Sequence, residues 1–358
     1  MILAFLLTII QIKDVTWEVI PAGWPFYAVI LAVLLVIKAK NGELGAKVPT
    51  PLLICGLALL GYATLSLSWA LATALGIFEL VQLYCLAIAF TYGAMQRNLR
   101  KVAIGLAIGL TISSLMTIPQ HFGYQLVGEW RPERPSGLLW NPVVLGEAIA
   151  LIIVLLATYR EWWYIPALLP GLWYCQSRGA WLALAVVAFA RITPWTLLAL
   201  PPLGAAFWFL PTYSDTQRMD IWEMVYKHLT FFGKGVGSLY SPVFVIHNIP
   251  YKPAFAHNEF LDFIYLYGVG GIAGCLLLLA PLSIRRPERW AYYCFFIMAL
   301  YSFPLHDPVL VFISGVIAGC ICQDWTNPFK GVSYGTLASF RAALPLRRGL
   351  RRTERVGV

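Results

Sequence analysis

Charge is scarce in this sequence. Only 12% of its 358 residues are Asp, Glu, Lys or Arg, about half the share of an ordinary soluble domain. A domain in water must cover its exterior with polar groups, and 59% hydrophobic residues with a mean hydropathy of +0.72 leave too few to do so. The expected solvent is lipid. The apolar runs, such as LAVLLVI, LALAVVAFA and GCLLLLAPL, show no strict alternation, which argues against a membrane β-barrel. Backbone groups in hydrocarbon must then be bonded within helices. The expectation is an all-α polytopic bundle.

Other absences narrow the function. The opening residues MILAFLLTII carry neither a basic stretch nor a small-residue cleavage site, so they are expected to be a first membrane segment rather than a removable signal. Seven cysteines, Cys55, Cys85, Cys175, Cys275, Cys294, Cys320 and Cys322, fall in or beside apolar runs and suggest packing rather than a disulfide framework. Cys320 and Cys322 lack the second pair that a structural zinc site uses. His121, His228, His247, His257 and His306 show no HxxxH or HxH spacing, so no metal or other cofactor is expected. GKGVGS at 233–238 lacks the Walker lysine–serine pair and reads as a turn. The arginine-rich tail at 341–355 has no interleaved aromatics, so anionic lipid rather than nucleic acid is its expected partner.

Twelve membrane segments are expected, near 2–12, 22–37, 51–68, 72–92, 102–119, 143–158, 162–174, 180–190, 194–210, 259–280, 290–303 and 308–322. Several fall short of the roughly 20 residues of a full crossing and imply tilted, broken or flank-extended elements. With the N-terminus inside, Lys38, Lys40 and Lys47 against Glu43 give +2, and Arg97, Arg100 and Lys101 give +3. Arg160 balances Glu161, Arg191 adds +1, and Arg285, Arg286 and Arg289 against Glu288 add +2. A tail with Lys330 and six arginines against Asp324 and Glu354 adds +5, so the inner side holds +13 of a net +9 and the remainder −4. This asymmetry is what positive-inside sorting produces. Residues 1–119 form an N-terminal helical part, 120–322 a part with outer loops 120–142 and 211–258, and 323–358 a basic inner tail. Within the long second loop, DIWEMVYKHL should form a short helix at the outer interface with Ile221, Met224, Val225 and Leu229 along one side.

Against this sorting, Arg131, Arg134, Arg178 and Arg218 fall on the outer side. Each has a structural reading: Glu129 and Glu133 could pair with the first two, Asp215 or Asp220 with Arg218, and Arg178 could anchor at the interface or present a buried guanidinium to a ligand. Together they suit an anionic diphosphate, because guanidinium donates paired charge-assisted hydrogen bonds. His257 in AHNEFLD can be a helix cap or a general base for a hydroxyl. Asn258 and Glu259 could orient it or a sugar hydroxyl, and Asp262, a turn later, could act behind them. Glu79 and Glu147 within apolar runs keep a secondary transporter open, although no inverted sequence repeat accompanies them.

RPSGLLWNPVVLGE at 134–147, SRGAWLAL at 177–184, RMDIW at 218–222 with GKGVGS, and AHNEFLDFIYLYGVGGI at 256–272 resemble, in order and spacing, the O-antigen ligase and O-antigen polymerase superfamily of membrane glycosyltransferases. The resemblance implies a GT-C-like helical fold in the bacterial inner membrane. Its implied donor is an undecaprenyl-diphosphate-linked glycan used on the periplasmic face, and its acceptor is lipid A–core in a ligase or a lipid-linked glycan in a polymerase. It implies metal-independent inverting transfer, in which Arg178 and Arg218 bind diphosphate and His257 assists the acceptor. Arg134 and Asn141, with Asn258 and Glu259, are the expected substrate-binding residues. Ligase activity on lipid A–core is the first expectation, and polymerase or transporter activity the alternatives.

Overall fold

A computed structural model describes residues 33, 50–71, 73–124, 133–139, 141–192, 213–238, 244–246, 249–251, 256–302 and 304–323. The expected segments 2–12, 22–37 apart from Val33, and 194–210 lie outside these residues, as does the tail from 324.

The described chain is helical. Its α-helices are α1 (Thr50–Ser66), α2 (Thr73–Ala94), α3 (Arg100–His121), α4 (Pro142–Thr158), α5 (Ile165–Tyr174), α6 (Arg178–Ile192), α7 (Tyr213–Lys227), α8 (Glu259–Tyr267), α9 (Val269–Leu279), α10 (Arg289–Ala299) and α11 (Pro308–Cys322). A short antiparallel hairpin, β1 (Phe244–Ile246) and β2 (Ile249–Tyr251), lies within the second long loop, with Phe244 opposite Tyr251. The all-α expectation holds for the bundle, and this hairpin is the addition to it.

Four described helical stretches are long and apolar enough to cross a membrane: Thr50–Trp69, Leu75–Ala94, Arg100–His121 and Glu259–Ser283. Their exposed side chains are those that water would reject, among them Leu53, Ile54 and Leu57 on α1, Ile112 and Leu115 on α3, and Ile272 and Leu276 on α9. Lipid accepts such faces without penalty. The protein is a helical membrane protein.

Two shorter apolar helices, α4 and α11, occupy the centre. Every residue of α11 is buried, and α4 is buried over most of its surface, which fits sequences apolar on all sides. Small residues set the spacing between α2 and α11: a Cβ at Gly93 would strike the backbone of Val316, one at Gly319 the Phe90 carbonyl, and one at Gly315 the Ala89 methyl. Such close backbone approach is how helices associate where lipid removes the hydrophobic drive. Because α2 pairs with α11 and α3 with α5, the early helices share one core with the later ones.

The basic clusters meet at one end of the bundle. Arg100 is paired with Glu161, the Tyr159 hydroxyl donates to Glu288 at 2.6 Å, and the Leu99 N–H donates to that hydroxyl at 2.8 Å. Arg286 donates to the Cys320 carbonyl at 2.8 Å. The loops on the other side meet at the opposite end, where the Trp222 indole donates to the Ala256 carbonyl and the Arg134 Nε to that of Cys175. These two groups of contacts involve different loops of the described chain.

Candidate functional site

The site is built where several helices begin. Asn141 caps α4, with Oδ1 accepting from the Val143 N–H at 2.8 Å and Pro142 at the first helical position. Asp307 caps α11 in the same way, accepting from Val309 and Leu310 ahead of Pro308. Asn258 caps α8, with Oδ1 accepting from Phe260 and Leu261 and Nδ2 donating to the Leu300 carbonyl at 3.2 Å. An Asx residue at each start satisfies N–H groups that the helix leaves open, and the partial positive ends of these helices favour negative charge nearby. The side-chain oxygens of Asn141 and Asn258 thus cap helices, while Asn258 Nδ2 also ties α8 to Leu300.

Glu147, one turn into α4 and 1% exposed, lies at the junction. One of its oxygens is 3.8 Å from where a Gly179 Cβ would stand, which brings the acid against the Ser177–Arg178–Gly179 turn. A Cβ on the neighbouring Gly146 would collide with Cys175 and Ser177, so glycine there lets α4 reach that turn. Glu147 lies near the Ser302 side chain and within electrostatic reach of Glu259, Asp307 and Arg218.

Arg178 opens α6 and is exposed. Of the two placements expected for it, burial and an exposed interfacial position, the structure has the exposed one, reached through the preceding Cys175–Ser177 turn. Arg134 is half-buried, with Nε 3.3 Å from the Cys175 carbonyl. Gln120 holds the loop bearing Arg134 by exchanging two hydrogen bonds with Gly137, at 2.7 and 2.8 Å. Gly137 itself has φ +64, and a Cβ there would strike Ser113. Arg131 lies outside the described residues.

Arg218 lies on α7, the helix expected from DIWEMVYKHL. It begins earlier than expected, at Tyr213, and ends at Lys227, with Leu229 beyond it. Ile221 and Val225 are buried against the bundle, and Met224 and Leu229 pack beside them. One turn after Arg218, Trp222 donates to the Ala256 carbonyl at 2.6 Å and so fixes α7 to the residue preceding His257. His257 is half-buried and has φ +55, a left-handed conformation unusual for a residue with a Cβ. Burial, then the cationic Arg218 and His306, push its imidazole down to about 3, so it is neutral at neutral pH.

Glu259 does not turn toward this rim. Its Oε1 accepts the Leu305 N–H at 2.5 Å and its Oε2 lies 3.6 Å from His306 Nε2. Asp262 accepts the Ala256 N–H at 2.8 Å through Oδ1, and its Oδ2 is 3.5 Å from the same His306 nitrogen. Burial alone disfavours the His306 cation, but Glu259 and Asp262 outweigh it and hold the imidazole up to about 9. These groups and Glu79 line a cavity of about 30 Å³. The GKGVGS turn reaches it as well: Gly233, Gly235 and Gly237 all have positive φ, and the Gly237 N–H donates to Glu79 Oε2 at 2.6 Å.

Sequence reasoning named Arg134, Arg178, Arg218 and His257, gave His306 no role beyond the absence of metal spacing, and passed over Asp307 and Trp222. The Asp-Pro at 307–308, a helix-start signal matching Asn-Pro at 141–142, was the available clue.

Comparison of the sequence with models of protein families and with characterised proteins gives no match.

Proposed function

We propose that the protein is a membrane glycosyltransferase that moves a glycan from undecaprenyl diphosphate to an acceptor hydroxyl, with lipid A–core the first candidate acceptor. One observation carries this reading: Glu147 packs against the turn bearing Arg178 and is within electrostatic reach of Arg218, whose charge also acts on the neutral His257. Arg134 reaches the same turn through Cys175. Three guanidinium groups and a neutral imidazole at one end of a lipid-embedded bundle suit an anionic leaving group and a hydroxyl nucleophile.

In this mechanism the acceptor oxygen attacks the anomeric carbon and His257 takes its proton. The bond from that carbon to the diphosphate oxygen breaks, and the electron pair leaves on the diphosphate. Arg178 and Arg218 stabilise the charge as it develops, while Arg134 holds the distal phosphate or the glycan. The anomeric centre inverts in a single displacement. The polyprenyl chain stays in lipid beside the apolar helix faces. The exposed Arg178 suits this role, since an arginine at the rim can meet a headgroup entering from the bilayer.

The remaining elements of the proposal are twelve spans in a GT-C-like arrangement, both termini cytoplasmic in the inner membrane, and a periplasmic site. They rest on the separation of basic clusters from site residues and on the motif resemblance. Polymerase activity uses the same donor chemistry with a lipid-linked glycan as acceptor. A secondary transporter is the second reading, favoured by Glu79 and Glu147, each buried in an apolar helix with one carboxylate oxygen lacking a hydrogen-bond partner.

The deciding experiment supplies purified protein with lipid-linked glycan and, separately, lipid A–core, lipid-linked glycan or protein acceptor. Product on lipid A–core alone is expected. Undiminished transfer by both Arg178→Ala and His257→Ala, at normal protein levels, would overturn the mechanism.

A further inference from the structure

The carboxylates behind His257 are arranged unlike an ordinary ion pair. Glu259, Asp262, His306 and Glu79 are 1%, 1%, 7% and 3% exposed and line one cavity whose other walls are Gln82, Leu83, Leu86, Phe263, Leu266, Tyr267 and Leu305. No Lys or Arg is among the described residues that line it. One imidazolium can offset one carboxylate, and three share this space. Buried charge left uncompensated is strongly unfavourable, so the cluster must take up either protons or a further positive charge.

Its geometry indicates which kind. Charge-assisted N–H to carboxylate bonds are about 2.7–2.9 Å long, whereas His306 Nε2 stands at nearly equal, longer distances of 3.5 and 3.6 Å from Asp262 Oδ2 and Glu259 Oε2. Ligands on a tetrahedral ion at about 2.0–2.2 Å are separated from one another by about 3.3–3.6 Å. The three donor atoms lie within 4.8 Å of one another. The second oxygen of each carboxylate is already fixed by a backbone N–H, Leu305 to Glu259 Oε1 and Ala256 to Asp262 Oδ1. Such outer bonds orient ligating carboxylates, and here they leave Oε2 and Oδ2 facing His306. Independently, Glu79 Oε2 is held by Gly237 while its buried Oε1 lines the cavity without a hydrogen-bond partner. A cavity of about 30 Å³ accommodates a small ion and one water.

We propose that Glu259 Oε2, Asp262 Oδ2 and His306 Nε2 bind a divalent transition-metal ion, with Zn²⁺ the best match, and that Glu79 Oε1 accepts a hydrogen bond from water in the fourth position. Mixed nitrogen and carboxylate donors in a tetrahedral arrangement select zinc over calcium or magnesium. The ion is structural. It ties α8 to the Pro304–His306 turn and, through Ala256, holds the segment that presents His257. Sequence spacing suggested no metal because the ligands come from two elements more than forty residues apart, with Glu259-x-x-Asp262 on one helix face as the sole local signal.

The test uses full-length protein in detergent or nanodiscs, purified without a histidine tag and without chelators, with metal content measured by plasma mass spectrometry. About one Zn²⁺ per chain is expected in the native protein, and at least a fivefold loss in His306→Ala and Asp262→Asn. A strong chelator should lower the thermal midpoint of the native protein, and added Zn²⁺ should restore it. Co²⁺ in its place should give the visible absorption of a tetrahedral centre. Folded native protein that holds no metal even after incubation with Zn²⁺ would overturn the proposal, as would variants that retain full metal content. If the variants do not fold, the chelation and Co²⁺ measurements on native protein decide it. None of these readouts depends on glycan transfer, so failure here leaves the transferase reading standing, and the reverse also holds.

Discussion

Trp222 donates its indole N–H to the carbonyl oxygen of Ala256 at 2.6 Å, across 34 residues of sequence. This bond couples the helix carrying Arg218 to the strained backbone of His257, whose φ is +55.

Trp222→Phe should therefore preserve the fold and weaken transfer. The loss of one net hydrogen bond, about 1 kcal/mol, corresponds to roughly fivefold in rate. Kinetics on purified protein should show the decrease mainly in kcat, as expected for a positioning residue; an unchanged kcat would remove Trp222 from that role.

The second expectation concerns pH. Burial and the Arg218 charge both favour the neutral form of His257, which titrates at about 3 in the folded protein against 6.5 for an unperturbed imidazole. Arg218→Gln removes one of the causes, which also include the charge of His306, so the pKa should rise from about 3 and the acid limb of transfer should move to higher pH. A pH–rate profile of the variant reads this directly. An anionic donor bound beside Arg218 acts in the same direction and brings the base nearer its working range.

The same depression carries a stability consequence. The unfolded chain takes up a proton on His257 near pH 6.5 while the folded chain does not until about 3. This contribution to stability is therefore fully present above pH 6.5 and is lost as pH falls toward 3. His257→Gln should flatten the fall in thermal midpoint across that window, as measured by unfolding in detergent.

Packing between α2 and α11 offers a test of the fold. A side chain at Gly319 would run into the Phe90 carbonyl, whereas the space around Gly56 on α1 is open. Gly319→Leu should destabilise the protein by about 1–3 kcal/mol or more. Gly56→Ala should be neutral or stabilising by about 0.5–1 kcal/mol from helix propensity. Equal midpoints for the two variants would contradict the helix pairing.

Asn141 separates capping from substrate binding. Asn141→Ala should cost about 1 kcal/mol of stability, and Asn141→Asp should retain it because aspartate caps equally well. If Asp keeps stability but transfer falls, the position also faces the anionic donor.

Much of this protein was readable along the chain. The scarcity of charge required lipid, the apolar runs without alternation required helices, and α11 begins and ends where its run does, at Pro308 and Cys322. The basic residues sort by loop in the sequence, and the structure pairs Arg100 with Glu161 and Tyr159 with Glu288. These are local or additive properties, to which each residue contributes regardless of its distant neighbours.

The site was only partly readable. Residue type and motif order singled out Arg134, Arg178, Arg218 and His257, but left Arg178 between burial and an interfacial position, and the turn before α6 leaves it exposed. Asn141 and Asn258 read as sugar contacts and serve as helix caps. Glu259 and Asp262 meet His306 only because α8 packs beside the turn before α11. That encounter depends on how helices pack, which no window of sequence contains. Composition and periodicity determined the solvent and the helices; tertiary structure alone decided which polar groups share a cavity, because burial and distance arise only when separated segments come together.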